Sequence, residues 1–334
     1  MIKIRWGIVG AARVNERVMP AIVQSEFGEL IAIGSRRPGA AKECLLKNLP
    51  EYEDKVICFD GLDQIIQHDR IDAIYIPLAN EEHTEIALKA IRAKKHILIE
   101  KPMAIKSEEV KTLIKEADKN NVKIMEGFMY VFHPQFDRIK NIIKSNILGE
   151  INYVHSMFSF PIQPARFYRI NRPMEEGGGA LWDIGPYAIH TIRQCFNEFP
   201  VRVKAIAKLN EYGADISTSG LIEFGNSKRA TFDISFECTR RSEFEAFGPQ
   251  GRIKCPLVWK PDDKSARVII NTEGSGLTEE VVPAANHFIL EIDHFNKVIS
   301  NNISPKLSSE DALWNSKTLE SIQKSIQEDS WVNL

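Results

Sequence analysis

A chain of 334 residues exceeds the size of one ordinary domain, so two domains are expected. Hydrophobic residues make up 43% of the chain and charged residues 26%, with a formal net charge of −2. This composition is typical of globular proteins, and the charge excludes the broad positive surface by which most proteins bind nucleic acid or anionic membranes.

The cysteines and the apolar runs indicate the cellular compartment of the protein. The five cysteines are odd in number and not closely paired, which indicates neither a disulfide framework nor a zinc site. A buried-strand pattern begins at residue 4, which leaves no room for a signal peptide. No uncharged apolar run approaches the roughly 18–20 residues that span a bilayer. We therefore expect a cytoplasmic protein with reduced thiols and no membrane association.

Short apolar runs alternate with amphipathic stretches through the first 125 residues. The runs predict six strands, at Ile4–Val9, Leu30–Gly34, Val56–Phe59, Ala73–Pro77, Ile97–Ile99 and Lys123–Met125. The stretches between them predict helices at Arg13–Ser25, Ala40–Lys47, Gly61–His68, Glu82–Ala93 and Ser107–Asn120. This alternation indicates βαβ units, and hence a doubly wound parallel Rossmann sheet over residues 1–125 that binds ligands at the carboxyl ends of its strands.

The pattern changes after residue 150 to that of strands with one covered face. Strands are predicted at Ile151–Phe160, Val201–Leu209, Ser219–Phe224, Lys228–Phe236, Phe244–Phe247 and Arg267–Ile270, and helices at Gly185–Cys195, Ala285–Ser300 and Ser309–Glu328. We expect residues 126–334 to form an α+β domain for substrate binding and oligomerisation, with a large, mostly antiparallel open sheet; its last helices can pack back on the first domain. An open sheet leaves one face to be covered, which favours a homodimer or homotetramer through that sheet.

The turn after the first strand has the composition of a dinucleotide-binding loop. Such a loop needs a glycine for the turn, a small residue beside the pyrophosphate, and another where the helix packs on the strand. Gly10 and Ala12 meet the first two requirements, whereas Asn15 is a poorer third. Because a helix begins here, we expect Arg13 and Val14 to join them at the pyrophosphate. A plain strand–helix turn is the alternative.

The end of the second strand bears on which dinucleotide binds. Sites that prefer NAD place an acid there, to accept hydrogen bonds from the ribose hydroxyls, but this chain has Ser35-Arg36-Arg37. A hydroxyl and guanidinium groups can bind the 2′-phosphate that a carboxylate would repel. Two solvated arginines on a loop are the alternative, but after a Rossmann-like first unit we favour NADP(H) over NAD(H).

Two further motifs lie far apart in the chain. Glu100-Lys101-Pro102 follows the fifth predicted strand, and a glycine-rich run at 177–179 leads to Asp183-Ile184-Gly185-Pro186-Tyr187. With the segments 76–83, 126–134, 294–295 and 308–312, these motifs resemble the glucose–fructose oxidoreductase / inositol dehydrogenase / MocA family over nearly the full length. The resemblance implies an NAD(P)-dependent dehydrogenase or reductase that transfers a hydride to or from a secondary alcohol, a ketone or the anomeric carbon of a sugar-like substrate.

The resemblance also assigns residues to the site. It adds six candidates for cofactor contact, namely Leu78, Asn80, His83, Glu100, Lys101 and Trp182. It implies four candidates for substrate contact, namely Lys101, Arg169, Asp183 and Tyr187. The stretch Phe167–Pro173 departs from the usual arginine spacing of the family, so which arginine faces the substrate stays open, with Arg169 as the candidate.

Hydride transfer requires a proton to move at the carbinol or carbonyl oxygen. The ammonium of Lys101 could polarise this oxygen, and Tyr187 is the candidate acid/base. A tyrosine with its usual pKa of about 10 is a poor base, but a nearby ammonium and an oxidised nicotinamide both favour the phenolate. Asp183 could bind substrate hydroxyls or orient the lysine. His83 either lies near the cofactor or caps its helix.

Several alternatives remain from the sequence. His133, His155 and His190 lack the spacing of zinc ligands, so no metal is expected. A dihydrodiol dehydrogenase-like activity would use the same residues. A regulatory protein that senses a dinucleotide without catalysis is the rival from another class, although it would not need both Lys101 and Tyr187. A purely structural scaffold would leave Ser35-Arg36-Arg37 without a role.

Overall fold

The structure is a computed structural model that describes residues 3–261 and 266–334. The chain divides into two compact units. The first unit contains the residues up to Met129 together with His287–Leu313, and the second contains Tyr130–Asn286 and Trp314–Leu334. The predicted boundary after residue 125 differs from this division, because it assigns His287–Leu313 to the second domain. It stays a prediction.

A parallel sheet forms the centre of the first unit. Its strands are β1 (Ile4–Val9), β2 (Gly28–Gly34), β3 (Ile57–Phe59), β4 (Ala73–Ile76), β5 (His96–Glu100) and β6 (Ile124–Gly127), in the order β3-β2-β1-β4-β5-β6. The helices between them are α1 (Asn15–Gln24), α2 (Ala40–Asn48), α3 (Asp63–Ile66), α4 (His83–Arg92) and α5 (Ser107–Asn120). The strand order reverses between β1 and β4, where a doubly wound sheet opens its ligand crevice. The predicted Rossmann sheet is confirmed.

The strands of this sheet are apolar on both faces because helices cover both. All four residues of β4 are buried, as are Ile97, Leu98 and Ile99 of β5. Helices α4 and α5 pack their apolar faces into the same core. Their buried side chains, such as Ile91 and Leu113, recur at helical spacing. A rigid core therefore lies directly beneath the loops at the carboxyl ends of the strands.

A larger sheet forms the second unit. After α6 (Pro134–Lys144) come β7 (Tyr153–Ser159), α7 (Ala180–Asp183), α8 (Gly185–Phe196), β8 (Arg202–Leu209), β9 (Asp215–Glu223), β10 (Arg229–Ser235), β11 (Arg241–Gly248), β12 (Gly251–Cys255), β13 (Ala266–Thr272) and β14 (Gly276–Val282). The order is β14-β13-β12-β11-β7-β10-β9-β8, and among the described strands of this sheet only β7 and β10 pair in parallel. The predicted α+β class with a mostly antiparallel sheet is confirmed.

The last elements divide between the units. They are α9 (His287–Ser300), α10 (Ser309–Glu328) and β15 (Val332–Asn333), which pairs with β8. Helix α9 belongs to the first unit, where Asn296 Oδ1 accepts a hydrogen bond of 2.9 Å from Trp6 Nε1 on β1. Asn296 Nδ2 donates to Ser25 Oγ, which also binds Asp293. A segment nearly 300 residues along the chain thus completes the first unit.

Candidate active site

The turn between β1 and α1 has the geometry of a phosphate-binding loop. Gly10 has a φ of +127°, a conformation that L side chains rarely adopt, and a Cβ there would lie 2.8 Å from Leu78 Cδ2. The backbone N–H groups of Ala12, Arg13 and Val14 have no acceptor among residues 3–261 and 266–334. Unsatisfied N–H groups at the start of a helix are the usual partners of a pyrophosphate. The loop therefore fits a dinucleotide.

Asn15 replaces the third small residue of the fingerprint and compensates within the turn. It is fully buried, and its Nδ2 donates a hydrogen bond of 2.8 Å to the carbonyl of Gly10. The same Nδ2 lies 3.5 Å from Cys44 Sγ on α2. The Asn15 side chain is larger than the usual small residue, and its hydrogen bond to Gly10 stabilises the turn.

The loop after β2 carries the candidate phosphate-selecting residues. Ser35 is buried, and its Oγ accepts a hydrogen bond of 3.2 Å from the backbone N–H of Arg37. The guanidinium of Arg36 is hydrogen-bonded to the carboxylate of Glu82, although 63% of its side chain is exposed. No acid follows β2 directly. The only carboxylate that contacts Arg36 in the described part of the chain comes from the loop after β4.

His83 joins the loops that follow β4 and β5. It is fully buried, with Nδ1 2.8 Å from the carbonyl oxygen of Pro102 and Nε2 3.1 Å from that of Leu78. Both partners are acceptors, so a neutral ring with one N–H can bond only one of them at a time. His83 therefore connects the two loops through their carbonyl groups. Its ring contacts lie outside its own helix, so it does not serve as a simple helix cap.

Lys101 stands at the end of β5 and is only 7% exposed. The peptide bond between Lys101 and Pro102 is cis. Glu100 before it accepts a hydrogen bond from the hydroxyl of the buried Tyr75 on β4. The lysine is thus held in a defined loop, at the edge of the sheet where the crevice opens.

Two buried acids of the first unit were missed by sequence reasoning. Glu126 on β6 accepts a hydrogen bond of 2.7 Å from the backbone N–H of Met103, which fixes the loop just after Lys101. Glu291 on α9 is 3% exposed, and its burial, followed by the negative charge of Glu100, raises its pKa well above the ordinary range. Glu126 was noted only as the first residue of the segment 126–134, and no local motif marks Glu291, because the partners of both lie far away in sequence.

The glycine-rich run of the second unit wraps around another buried acid, Asp215. A Cβ on Gly179, whose φ is +96°, would lie 1.9 Å from Asp215 Oδ1. Asp215 accepts hydrogen bonds from the backbone N–H of Leu181 at 2.9 Å and from Thr218 Oγ1 at 2.6 Å. Its burial raises the pKa of its carboxyl group to about 6. Asp215 therefore caps α7 and fixes the residues that follow, and it too was missed from the sequence.

Asp183, at the end of α7, is bound by two arginines of the preceding loop. Arg166 Nη2 donates to Asp183 Oδ2 at 2.9 Å, and Arg169 Nη1 lies 2.8 Å from Asp183 Oδ1. The Asp183 side chain is 6% exposed, against 22% for Arg166 and 28% for Arg169. The structure thus joins two candidates from the sequence, Asp183 and Arg169, and adds Arg166.

Tyr187 lies in the first turn of α8 within an aromatic cluster. Its ring centroid is 5.7 Å from Phe158, 6.2 Å from Tyr130 and 6.2 Å from Trp259. It is 9% exposed. These apolar faces exclude water from the ring and orient it.

The rings around Tyr187 are themselves held by hydrogen bonds. Tyr130 Oη lies 2.6 Å from His190 Nδ1 and 3.0 Å from Thr191 Oγ1, and Trp259 Nε1 donates to Thr191 Oγ1 at 2.8 Å. His190 thus belongs to the surroundings of Tyr187. This network could not be predicted from local patterns, because Trp259 lies 68 residues beyond Thr191.

The remaining candidates divide between the units. Leu78 and Asn80 lie in the loop after β4, with Asn80 buried, whereas Trp182 belongs to the second unit, where its Nε1 donates to Gln323 Oε1 at 2.8 Å. Lys101 lies in the first unit and Tyr187 in the second.

In the described residues there is no cluster of three potential metal ligands. No helix among them is long and apolar enough to cross a membrane.

Comparison with known families agrees with this architecture. The description "Oxidoreductase family, NAD-binding Rossmann fold" matches residues 4–128, and "GFO/IDH/MocA C-terminal domain" matches residues 136–254. This chain belongs to the GFO/IDH/MocA oxidoreductase family. It is an NAD(P)-dependent oxidoreductase that acts on CH–OH or keto groups, and its Rossmann unit binds the dinucleotide.

Three relatives place the chain within this family. An uncharacterized oxidoreductase from Rhizobium meliloti is 32% identical, over 98% of each chain. The D-xylose 1-dehydrogenase (NADP(+)) of Haloferax volcanii is 28% identical, over 98% of this chain and 99% of its own. The crystal structure of a 3-ketoreductase from Actinomadura kijaniata with NADP and TDP-benzene has a TM-score of 0.89 at 26% identity, over 97% of this chain and 98% of that one. Further structures of that ketoreductase carry a lysine replaced by alanine or a tyrosine replaced by phenylalanine.

Proposed function

We propose that this protein is an NADP(H)-dependent oxidoreductase that transfers a hydride to or from a secondary alcohol, a ketone or the anomeric carbon of a sugar-like substrate. The observation that carries this proposal is the loop after β2, where a buried serine and two arginines stand in place of an acid. A 2′-phosphate needs hydroxyl and guanidinium donors, whereas ribose hydroxyls favour a carboxylate. The printed names of two relatives, which include NADP, support the same choice.

The cofactor would be held by the first unit. We assign the pyrophosphate to the N–H groups of Ala12, Arg13 and Val14, beside Gly10, and the 2′-phosphate to Ser35-Arg36-Arg37. We further propose that Leu78, Asn80, His83, Glu100, Lys101 and Trp182 line the cofactor. When bound, the nicotinamide supplies the hydride donor or acceptor for the substrate carbon.

Two residues would move charge at the substrate oxygen. For reduction, the Lys101 ammonium donates a hydrogen bond to the carbonyl oxygen and stabilises the negative charge that develops there. Tyr187 gives its phenolic proton to that oxygen as the carbon accepts the hydride, so a ketone becomes an alcohol and Tyr187 a phenolate. Oxidation reverses each transfer. Asp183 and Arg169 would contact the substrate beside Tyr187, and the lysine and tyrosine altered in the ketoreductase are residues of the same two types.

Titration of the purified protein with NADPH and with NADH, followed by the fluorescence of the reduced nicotinamide, tests the cofactor. We expect NADPH to bind at least tenfold more tightly. Replacing Arg36 and Arg37 together by glutamine should weaken NADPH binding at least tenfold, because each charge-assisted bond contributes about 1.5–3 kcal/mol, and should leave NADH binding nearly unchanged. Equal weakening of both would assign these arginines another role. Binding of neither dinucleotide to the wild-type protein would refute the proposal.

The variant Lys101→Ala separates an enzyme from a dinucleotide sensor. An enzyme should lose at least about a hundredfold in kcat, the usual contribution of polarisation and proton transfer, while its affinity for NADPH stays within a few-fold. A sensor should show no turnover even as the wild type, and the substitution should leave its affinity for NADPH nearly unchanged. Screening of ketosugars and aldoses with NADPH and NADP+ provides the turnover assay.

A second candidate is a dihydrodiol dehydrogenase-like activity, in which a cyclic diol is oxidised. The cluster of Tyr130, Phe158 and Trp259 favours it, since these buried rings make the surroundings of Tyr187 apolar, which suits a substrate with few polar groups. Turnover of trans-1,2-cyclohexanediol with NADP+ in the absence of aldose turnover would favour this candidate.

We also propose a cytoplasmic homodimer or homotetramer that assembles through the nine-stranded sheet. Helix α8 packs against β7, β10 and β11, so it covers one face of the sheet. On β7 the alternate side chains Tyr153, His155 and Met157 are half-buried on the other face. All five cysteines are free thiols, which suits a reducing compartment. Light scattering that gives a monomer at micromolar concentration would refute the assembly.

A further inference from the structure

Arg166 has more hydrogen-bonding capacity than its contacts use. Its hydrogen bond and its ion pair within the described residues both join Nη2 to Asp183 Oδ2, at 2.9 Å. The Nε and Nη1 groups donate to no residue in the described ranges 3–261 and 266–334. About a fifth of the side chain, 22%, is exposed. A guanidinium group has five N–H donors and keeps its charge at any physiological pH.

Arg166 and Arg169 bind the same carboxylate. The single carboxylate of Asp183 is shared with Arg169, which lies 2.8 Å from its other oxygen. Arg166 therefore shares its acidic partner and keeps donors for a further acceptor. Asp183 itself holds the two arginines side by side, a geometry that suits the two oxygens of a carboxylate or phosphate.

A row of aromatic rings connects Arg166 to Tyr187. The guanidinium lies over the ring of Phe160 at 4.9 Å, the centroid of Phe160 is 5.8 Å from that of Phe158, and Phe158 is 5.7 Å from Tyr187. Phe158 is buried, so these rings set the spacing between the guanidinium and Tyr187. A substrate with its reacting carbon at Tyr187 would extend past the half-buried Phe160 towards the guanidinium.

We propose that Arg166, with Arg169 beside it, binds an anionic group of the substrate, so that the sugar-like substrate carries a carboxylate or a phosphate ester. This inference rests on the proposed function, because it uses the substrate position beside Tyr187. Asp183 then acts as a positioning residue that orients both arginines. Neutral sugars lack the partner that the guanidinium is placed to bind.

Calorimetry on the full-length protein, saturated with NADP+, tests the proposal without requiring turnover. The probes are D-glucose, D-glucuronate and D-glucose 6-phosphate, with the corresponding galactose series. We expect at least one anionic probe to bind at least tenfold more tightly than its neutral sugar. The preference between carboxylate and phosphate then identifies the anionic group. If no anionic probe binds more tightly than its parent sugar, the proposal is overturned.

Variants of Arg166 test whether this residue causes the preference for an anionic probe. Arg166→Gln should weaken binding of the preferred anion at least tenfold and leave binding of the neutral sugar within about twofold, since one charge-assisted bond is lost. Arg166→Lys should retain part of the preference, because it keeps the charge without the planar fork. Arg202→Gln removes an exposed arginine of the same unit, bonded to Glu223 at 2.7 Å, and is the control for a simple loss of charge. Equal weakening of anionic and neutral probes by Arg166→Gln would assign Arg166 to support of the loop and refute the proposal.

Two readouts keep this proposal separate from the proposed function. NADPH affinity is measured for each variant, since it should not change if only an anion contact is lost, and the melting temperature separately records the loss of the pair between Arg166 and Asp183. If Arg166→Gln fails to fold, Arg166→Lys and the salt dependence of wild-type binding decide, because an anion preference must fall as ionic strength rises. Failure to bind NADPH would refute the cofactor assignment, whereas neutral-sugar preference with intact NADPH binding refutes only the anion site.

Discussion

The variant Asp215→Asn isolates the pH dependence of one buried carboxylate. Burial raises the pKa of Asp215 from its ordinary 3.8 to about 6, despite the hydrogen bonds from Thr218 and the backbone N–H of Leu181 that favour the charged form. Below pH 3.8 the group is protonated in both the folded and the unfolded protein. As the pH rises towards 6, the unfolded chain loses this proton before the folded one does, so the free energy of unfolding decreases. Above pH 6 the contribution is constant.

The size of this effect follows from the two pKa values. A rise from 3.8 to about 6 corresponds to ~3 kcal/mol, at about 1.4 kcal/mol for each pH unit. Asparagine does not titrate, so the stability of the wild type relative to Asp215→Asn should fall by ~3 kcal/mol between pH 3.5 and pH 6.5. Contributions from all other groups cancel in this difference.

Urea unfolding at a series of pH values measures this difference. The buried Trp182 and Trp259 of the second unit report the transition by fluorescence. Glu211→Gln, an exposed carboxylate in the same unit, is the control for removal of a charge. A difference that does not change with pH, or that grows in favour of the wild type as pH rises, would refute the reasoning, because it would mean that the hydrogen bonds outweigh the desolvation.

Three further predictions concern the glycine-rich run, the turn after β1 and the loop after β2. Gly179→Ala should destabilise the second unit by about 3 kcal/mol or more, measured by the melting temperature, because its Cβ would lie 1.9 Å from Asp215 Oδ1 at a φ of +96°; a change below about 0.5 kcal/mol would contradict this. Asn15→Ala should weaken NADPH binding roughly fivefold through loss of the hydrogen bond to Gly10, in a fluorescence titration, and unchanged affinity would show that the turn does not need it. Glu82→Gln should tighten NADPH binding about two- to fivefold without affecting NADH, because it releases the neighbouring arginine from a surface ion pair; weaker NADPH binding would mean that the acid orients that arginine.

Much of the fold could be predicted because its strands and helices carry a local pattern. The helices Ser107–Asn120 and Ser309–Glu328 were predicted with their observed bounds. Strand β14 was missed because its residues are mostly exposed on both faces and therefore show no alternation. Helix α6 was missed although a proline at its first position and an amphipathic pattern mark it, because it follows directly on the region where one domain was expected to end.

The site could be predicted only where a residue is marked by its neighbours in sequence. Gly10 follows a strand, and Lys101 and Tyr187 stand in motifs, so these residues could be proposed from the sequence, and their roles stay predictions. Arg166 and Asp215 have no such mark. Their contacts are with residues 17 and 34 positions away, and they form only when the loops fold against each other.

The assignment of His287–Leu313 to the first unit has a consequence for biosynthesis. A ribosome releases residues 1–129 long before α9, so the nascent nucleotide-binding unit waits for its last helix while the whole sheet of the second unit is made. During that interval the indole N–H of Trp6 lacks Asn296, and Ser25 lacks both of its partners on α9. The nucleotide-binding unit, although it begins first, is therefore finished only near the end of translation. A fragment that stops before residue 287 should be unable to form its native core.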